Sequence, residues 1–80
     1  MESAIFKVCR LLDEAKIHYF LERDRPDSIT LTVSFVGERV EVDIFEDDHV
    51  EISRFRGDES VEEREMDLLL ELIKRETEGR

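Results

Sequence analysis

One cysteine, one proline and three glycines in 80 residues leave no material for a disulfide framework, a proline-rich linker or a glycine-rich phosphate loop. Cys9 has no second cysteine with which to hold a metal. It falls on the apolar stripe of a predicted first helix, where a thiol reads as buried and inert. Pro26 rules out a continuous helix through its neighbourhood. Long apolar runs are also missing. The longest near the C-terminus is Leu68-Leu69-Leu70, and the N-terminus has no apolar signal region, so neither a membrane span nor secretion is expected and the compartment expected is the cytoplasm.

Cations are scarce as well. Twelve Lys and Arg stand against 22 Asp and Glu, a net charge of −10. Duplex nucleic acid is then a poor partner, because phosphate neutralisation needs clustered Lys and Arg, whereas a basic protein is compatible with the charge. No Ser/His/Asp set or paired-carboxylate cleft can be assembled, so neither an enzyme nor a cofactor is expected. His49 lies among Asp47, Asp48 and Glu51, but their spacing fits neither a calcium loop nor a zinc site, and an acidic hairpin tip is expected there. Arg56-Gly57-Asp58 spells an adhesion tripeptide and is read as a loop turning on Gly57.

What the chain does contain is alternation. Ile29–Phe35, Val40–Ile44 and Val50–Ser53 alternate apolar and polar residues at period two, as half-buried strands do. Gly37-Glu38 is the expected two-residue loop of the first hairpin, setting Phe35 opposite Val40, Val33 opposite Val42 and Leu31 opposite Ile44. In the second hairpin a two-residue loop would set Ile44 against Glu51. A three-residue loop, Glu46-Asp47-Asp48, restores Ile44 opposite Val50 and puts Asp48 in a left-handed conformation, so Asp48→Gly is expected to stabilise. Ile17–Arg23 reads either as a strand or as an extension of the first helix. The strand is preferred, with Leu21 meeting Leu31 and Tyr19 meeting Val33.

Ser3 is positioned to cap a helix running to about Lys16, with Ile5, Val8, Cys9, Leu12 and Ala15 on one side. Ser60-Val61-Glu62-Glu63 has the form of a capping box and predicts the start of a last helix. That helix carries a core stripe of Met66, Leu69, Leu70 and Ile73. Leu68 and Leu72 widen its apolar arc to roughly 200°, more than a surface helix needs, and are candidates for a homodimer contact. Residues 76–80 are expected to fray.

The sum is a single small α+β domain over residues 1–80, a two-layer sandwich in the order α-β-β-β-β-α: a four-stranded antiparallel meander with both helices on one face. Outward strand positions then form an acidic open face, and Phe20, Glu41, Asp43, Phe45 and Glu51 are its candidate partner-binding residues. Asp43 is expected between Thr32 and Glu51, and Glu41 between Ser34 and Ser53. A merely solvated face is the plain alternative.

Glu41–Asp48 followed by Val50–Phe55 loosely resembles small bacterial proteins of unassigned function and the immunity proteins of polymorphic toxin systems. Those proteins often carry an acidic strand, an acidic tight turn and a strand ending in a basic-aromatic pair. The resemblance covers about the middle third of the chain. It implies an acidic bacterial protein that neutralises a partner by covering a basic site, and it carries over no catalytic residue.

Overall fold

Alternating stretches pair into a meander, and the two amphipathic stretches cover one side of it. The computed structural model describes residues 3–35, 37–56 and 61–78. Its elements are α1 (Ala4–Glu14), β1 (Tyr19–Arg25), β2 (Ser28–Phe35), β3 (Glu38–Phe45), β4 (Val50–Arg56), β5 (Val61–Arg64) and α2 (Met66–Glu78). The sheet is antiparallel in the order β1-β2-β3-β4-β5. The four expected strands stand in their expected order, and a fifth follows them. Leu31, Val33, Phe35, Val40, Val42, Ile44 and Ile52 are buried with Val8 and Leu12 of α1 and Leu68, Leu69 and Leu72 of α2 in one core. At about 1.5–3 kcal/mol for each large apolar side chain, this burial is the main term holding the layers together.

Two registers agree with the sequence. Tyr19 pairs with Val33 and Leu21 with Leu31. Ile44 pairs with Val50 and Val42 with Ile52, and Asp48 has φ 68°. The first hairpin differs by two positions: Phe35 faces Glu38, Val33 faces Val40 and Leu31 faces Val42. A shift of two keeps every side chain on its face, so alternation cannot detect it. Gly37, at φ 79°, takes the second loop position, where a left-handed residue is needed. The partner expected for Arg39, Val36, lies outside the described residues.

Helix boundaries bring further corrections. Ser3 sits at the N-cap of α1, but its side chain makes no capping hydrogen bond. At the other end Lys16 (φ 59°) donates its N–H to the Asp13 carbonyl, and Ile17 donates to the Leu12 carbonyl at 2.9 Å. This is a Schellman closure, sealed by burial of Leu12 and Ile17. Residues 61–64, read from sequence as the first turn of a helix, instead pair with β4, Arg54 opposite Glu62 and Phe55 opposite Val61. Ser60, the presumed cap, lies outside the described residues, as does the turn at Gly57-Asp58. α2 starts at Met66 and continues through Glu78, so positions 76–78 are helical rather than frayed.

The buried stripe of α2 is also rotated. Leu68 and Leu72, proposed as dimer contacts, are only 2% and 3% exposed, while Leu70, assigned to the core, is 48% exposed. The rotation has an electrostatic counterpart. Arg75 shares the Leu68–Leu72 stripe at i, i+4, i+7 and reaches the Glu38 carboxylate at 2.7 Å. Glu38 also accepts from Arg54 Nε at 2.7 Å and from a second Arg54 nitrogen at 3.2 Å. Arg54 thus belongs to the helix side of the sheet. These bonds, Arg54 first, hold the Glu38 carboxyl below the usual carboxylate range despite its burial.

Candidate functional site

Strand alternation decides what the uncovered face presents. With the observed register, one row across the sheet reads Phe20, Thr32, Glu41, Ser53, and the next reads Glu22, Thr30, Asp43, Glu51. Asp43 stands directly opposite Glu51, as expected. Its neighbour on β2 is Thr30 rather than Thr32, and Glu41 has Thr32 rather than Ser34 beside it, because of the two-position shift. Four strands at about 4.8 Å spacing make the patch about 14 Å wide. Both helices lie on the opposite side.

Three of the four carboxylates in the patch, those on β3 and β4, are oriented by a neighbour. Asp43 Oδ1 accepts from the Thr30 hydroxyl at 2.5 Å. Glu41 lies 3.9 Å from the Arg39 guanidinium, with about a third of its side chain exposed (34%). Glu51 is the most accessible of the three, 62% exposed, and lies 3.6 Å from His49 Nε2. Like charges directly across two strands cost some tenths of a kcal/mol, so the Asp43–Glu51 juxtaposition is tolerated rather than stabilising.

The aromatic members behave differently from one another. Phe20 is 56% exposed, with the His18 ring edge-on at 5.0 Å. Phe45 is half-buried beneath His49, whose ring stacks on it at 4.3 Å, while the Arg25 guanidinium lies 5.9 Å from its centroid. Phe55 is covered by Arg39 at 4.7 Å. These cation–π covers reduce the free apolar area of the face, leaving Phe20 as its accessible ring. The Arg covers were missed in the sequence. Arg39 stands opposite Phe55 in the same register that sets Ile44 opposite Val50, but strands read as Val40–Ile44 and Val50–Ser53 stop short of both residues.

At the hairpin tip the His49 ring meets Asp47 Oδ1 at 2.9 Å through Nδ1, and its backbone N–H donates to the same oxygen at 3.0 Å. Hydrogen bonding to Asp47, then the charges of Asp47 and Glu51, raise the imidazole above its ordinary range, and His49 lowers Asp47 in return. Among the described residues no three His, Cys, Asp or Glu side chains are grouped to hold a metal ion. No described helix is long and apolar enough to cross a membrane. On the helix side Cys9 is half-buried rather than buried. It lies against Tyr19, whose hydroxyl donates to Asp13 Oδ1 at 3.0 Å; the Cys9 contact and burial hold that phenol above its usual range.

No family model matches the chain, and neither the curated proteins nor the solved structures give a match.

Proposed function

We propose that this protein is a non-enzymatic binding module that docks a basic protein partner on its open sheet face, through Glu51, Glu41, Asp43 and Phe20, with Phe45 at the margin. One observation carries the reading: Asp43 and Glu51 are set side by side, with Glu41 in the next row, on a face that neither helix covers. A cationic side chain placed between Asp43 and Glu51 relieves their repulsion, so docking gains from an unfavourable pairing already present in the free protein. A covering role of the immunity type, at a cytoplasmic basic target, is the form of this reading that the hairpin resemblance suggests.

The test is an NMR titration of the protein with a synthetic Lys/Arg-rich peptide. Amide shifts are expected at Thr30, Thr32, Glu41, Asp43, Glu51 and Ser53. They should vanish in Glu41→Lys/Glu51→Lys and persist in the charge-matched Glu14→Lys/Glu71→Lys. Equal loss in both double variants would reduce the effect to net charge and remove the proposal.

A further inference from the structure

Among the described residues, four large apolar side chains are strongly exposed: Phe6 at 72%, Phe20 at 56%, Leu21 at 52% and Leu70 at 48%. Two of them stand together at one edge of the sheet. Phe20 and Leu21 are neighbours on β1, an edge strand, and point to opposite faces of the sheet. On the helix side of this edge Cys9 and Asp13 of α1 both meet Tyr19. The edge is therefore apolar above and below, where edge strands of monomers are usually blunted.

Among the described residues no strand pairs with its outer side. Phe35 and Glu38 close a two-residue hairpin, which makes them a hydrogen-bonded pair. Alternation along β2 then turns the N–H and C=O groups of Thr30 and Thr32 toward β1. Those of Tyr19 and Leu21 point away from the sheet, to the open edge. Regular pairing of β1 ends at an irregularity between Glu22 and Arg25. The usable edge is thus short, and it runs from His18 to Glu22.

We infer that this edge pairs with the β1 edge of a second copy of the chain, antiparallel about a two-fold axis at Phe20, to give one continuous ten-stranded sheet. The two-fold axis stands perpendicular to the sheet, so residues that meet must share a face, and only even shifts are allowed. An axis at Phe20 sets Phe20 against its own copy, Tyr19 against Leu21 and His18 against Glu22. Tyr19 and Leu21 then exchange hydrogen bonds through the groups that face outward. An axis at Leu21 would oppose Phe20 to Glu22, and one at Glu22 would oppose Glu22 to itself. Within one copy His18, just before β1, and Glu22 lie four residues apart, about 13 Å along an extended backbone, and cannot meet; across the axis they are partners. Tyr19 and Leu21 of each copy close over the seam on the helix side. The inference does not depend on the docking role, although it turns both open faces the same way.

Sedimentation of the full chain over a concentration series tests it. A mass of two chains is expected at high concentration. Phe20→Lys, which puts two like charges on the axis, should weaken association roughly tenfold or more. Leu70→Lys, equally exposed but away from the edge, should leave it unchanged. In a Cys9→Ala background, Phe20→Cys is expected to oxidise to a linked dimer, because residues opposed as a non-hydrogen-bonded pair have Cα atoms about 4.5 Å apart. Glu22→Cys should not link. A single-chain mass at every concentration would overturn the inference, as would a dimer that ignores Phe20→Lys or fails to link through Phe20→Cys.

Discussion

Asp48 Oδ1 accepts the backbone N–H of Ala4 at 3.2 Å, so the second hairpin supplies the cap that Ser3 does not give to α1. Asp48 therefore has two duties, since it also holds φ 68° at the turn. Glycine relieves about 1 kcal/mol of left-handed cost but deletes an acceptor contributing about 0.5–2 kcal/mol at a helix start. The stabilisation expected of Asp48→Gly from the turn alone is thus offset. Asn keeps both features, and Ala loses both. Urea midpoints should rank Asp48→Asn near the parent, Asp48→Gly at or below it, and Asp48→Ala lowest. A Gly variant clearly above the parent would show that the tie to Ala4 contributes nothing.

Lys16 closes α1 in the left-handed region at φ 59°. Comparing Lys16→Gly with Lys16→Ala removes the side chain in both cases and isolates the backbone. The Gly variant should be the more stable by about 1 kcal/mol, read from denaturant unfolding. Equal stabilities would contradict the Schellman closure.

Glu38 is the anion of a nearly dry cluster, its side chain 7% exposed and that of Arg54 13% exposed. Glu38→Gln should cost roughly 3 kcal/mol, because it removes the buried carboxylate that both Arg54 and Arg75 bind. The folded carboxyl titrates below the unfolded one. Its contribution is complete above the ordinary carboxylate range and is lost as pH falls through the folded value. Acid unfolding curves of the parent and Glu38→Gln should therefore converge at low pH. Parallel curves would contradict the pairing.

His49 and Asp47 shift in opposite senses. The raised imidazole favours the folded tip most below about 6.5 and loses that effect as pH rises through its folded value. The lowered Asp47 acts above the ordinary carboxylate range and fades as pH falls. The tip is tightest between the two. An NMR titration should find the His49 midpoint elevated in the parent and returned toward the ordinary imidazole value in Asp47→Asn. An unchanged midpoint in that variant would show that Asp47 is not the cause.

Much of this architecture can be read from residues 29–55, and the errors have physical causes. The second hairpin is legible because alternation requires an odd loop there, and the three-residue loop Glu46-Asp47-Asp48 leaves Asp48 to take the left-handed position. In the first hairpin, shifts of two are degenerate for alternation, and only the backbone demand at Gly37 separates them. Cross-linking can check the outcome: with Cys9→Ala, Ser34→Cys/Arg39→Cys should form a disulfide and Ser34→Cys/Glu41→Cys should not. β5 was hidden because Ser60 to Glu63 carries a local helix signature, whereas the open edge of β4 is a tertiary demand. In α2, three successive leucines admit more than one stripe, and Glu38 pairing with Arg75 goes with the stripe adopted. Asp43 and Glu51 were correctly opposed; the rings on the face were misjudged, since Arg25, Arg39 and His49 cover two of them.

The Ala4–Asp48 bond spans 44 positions. During synthesis from the N-terminus, the opening helical turn emerges long before its acceptor exists, and that turn stays loose until residues 46–48 have left the ribosome and bent back. Fastening of the chain's beginning is then a late event, timed by the translation of its middle.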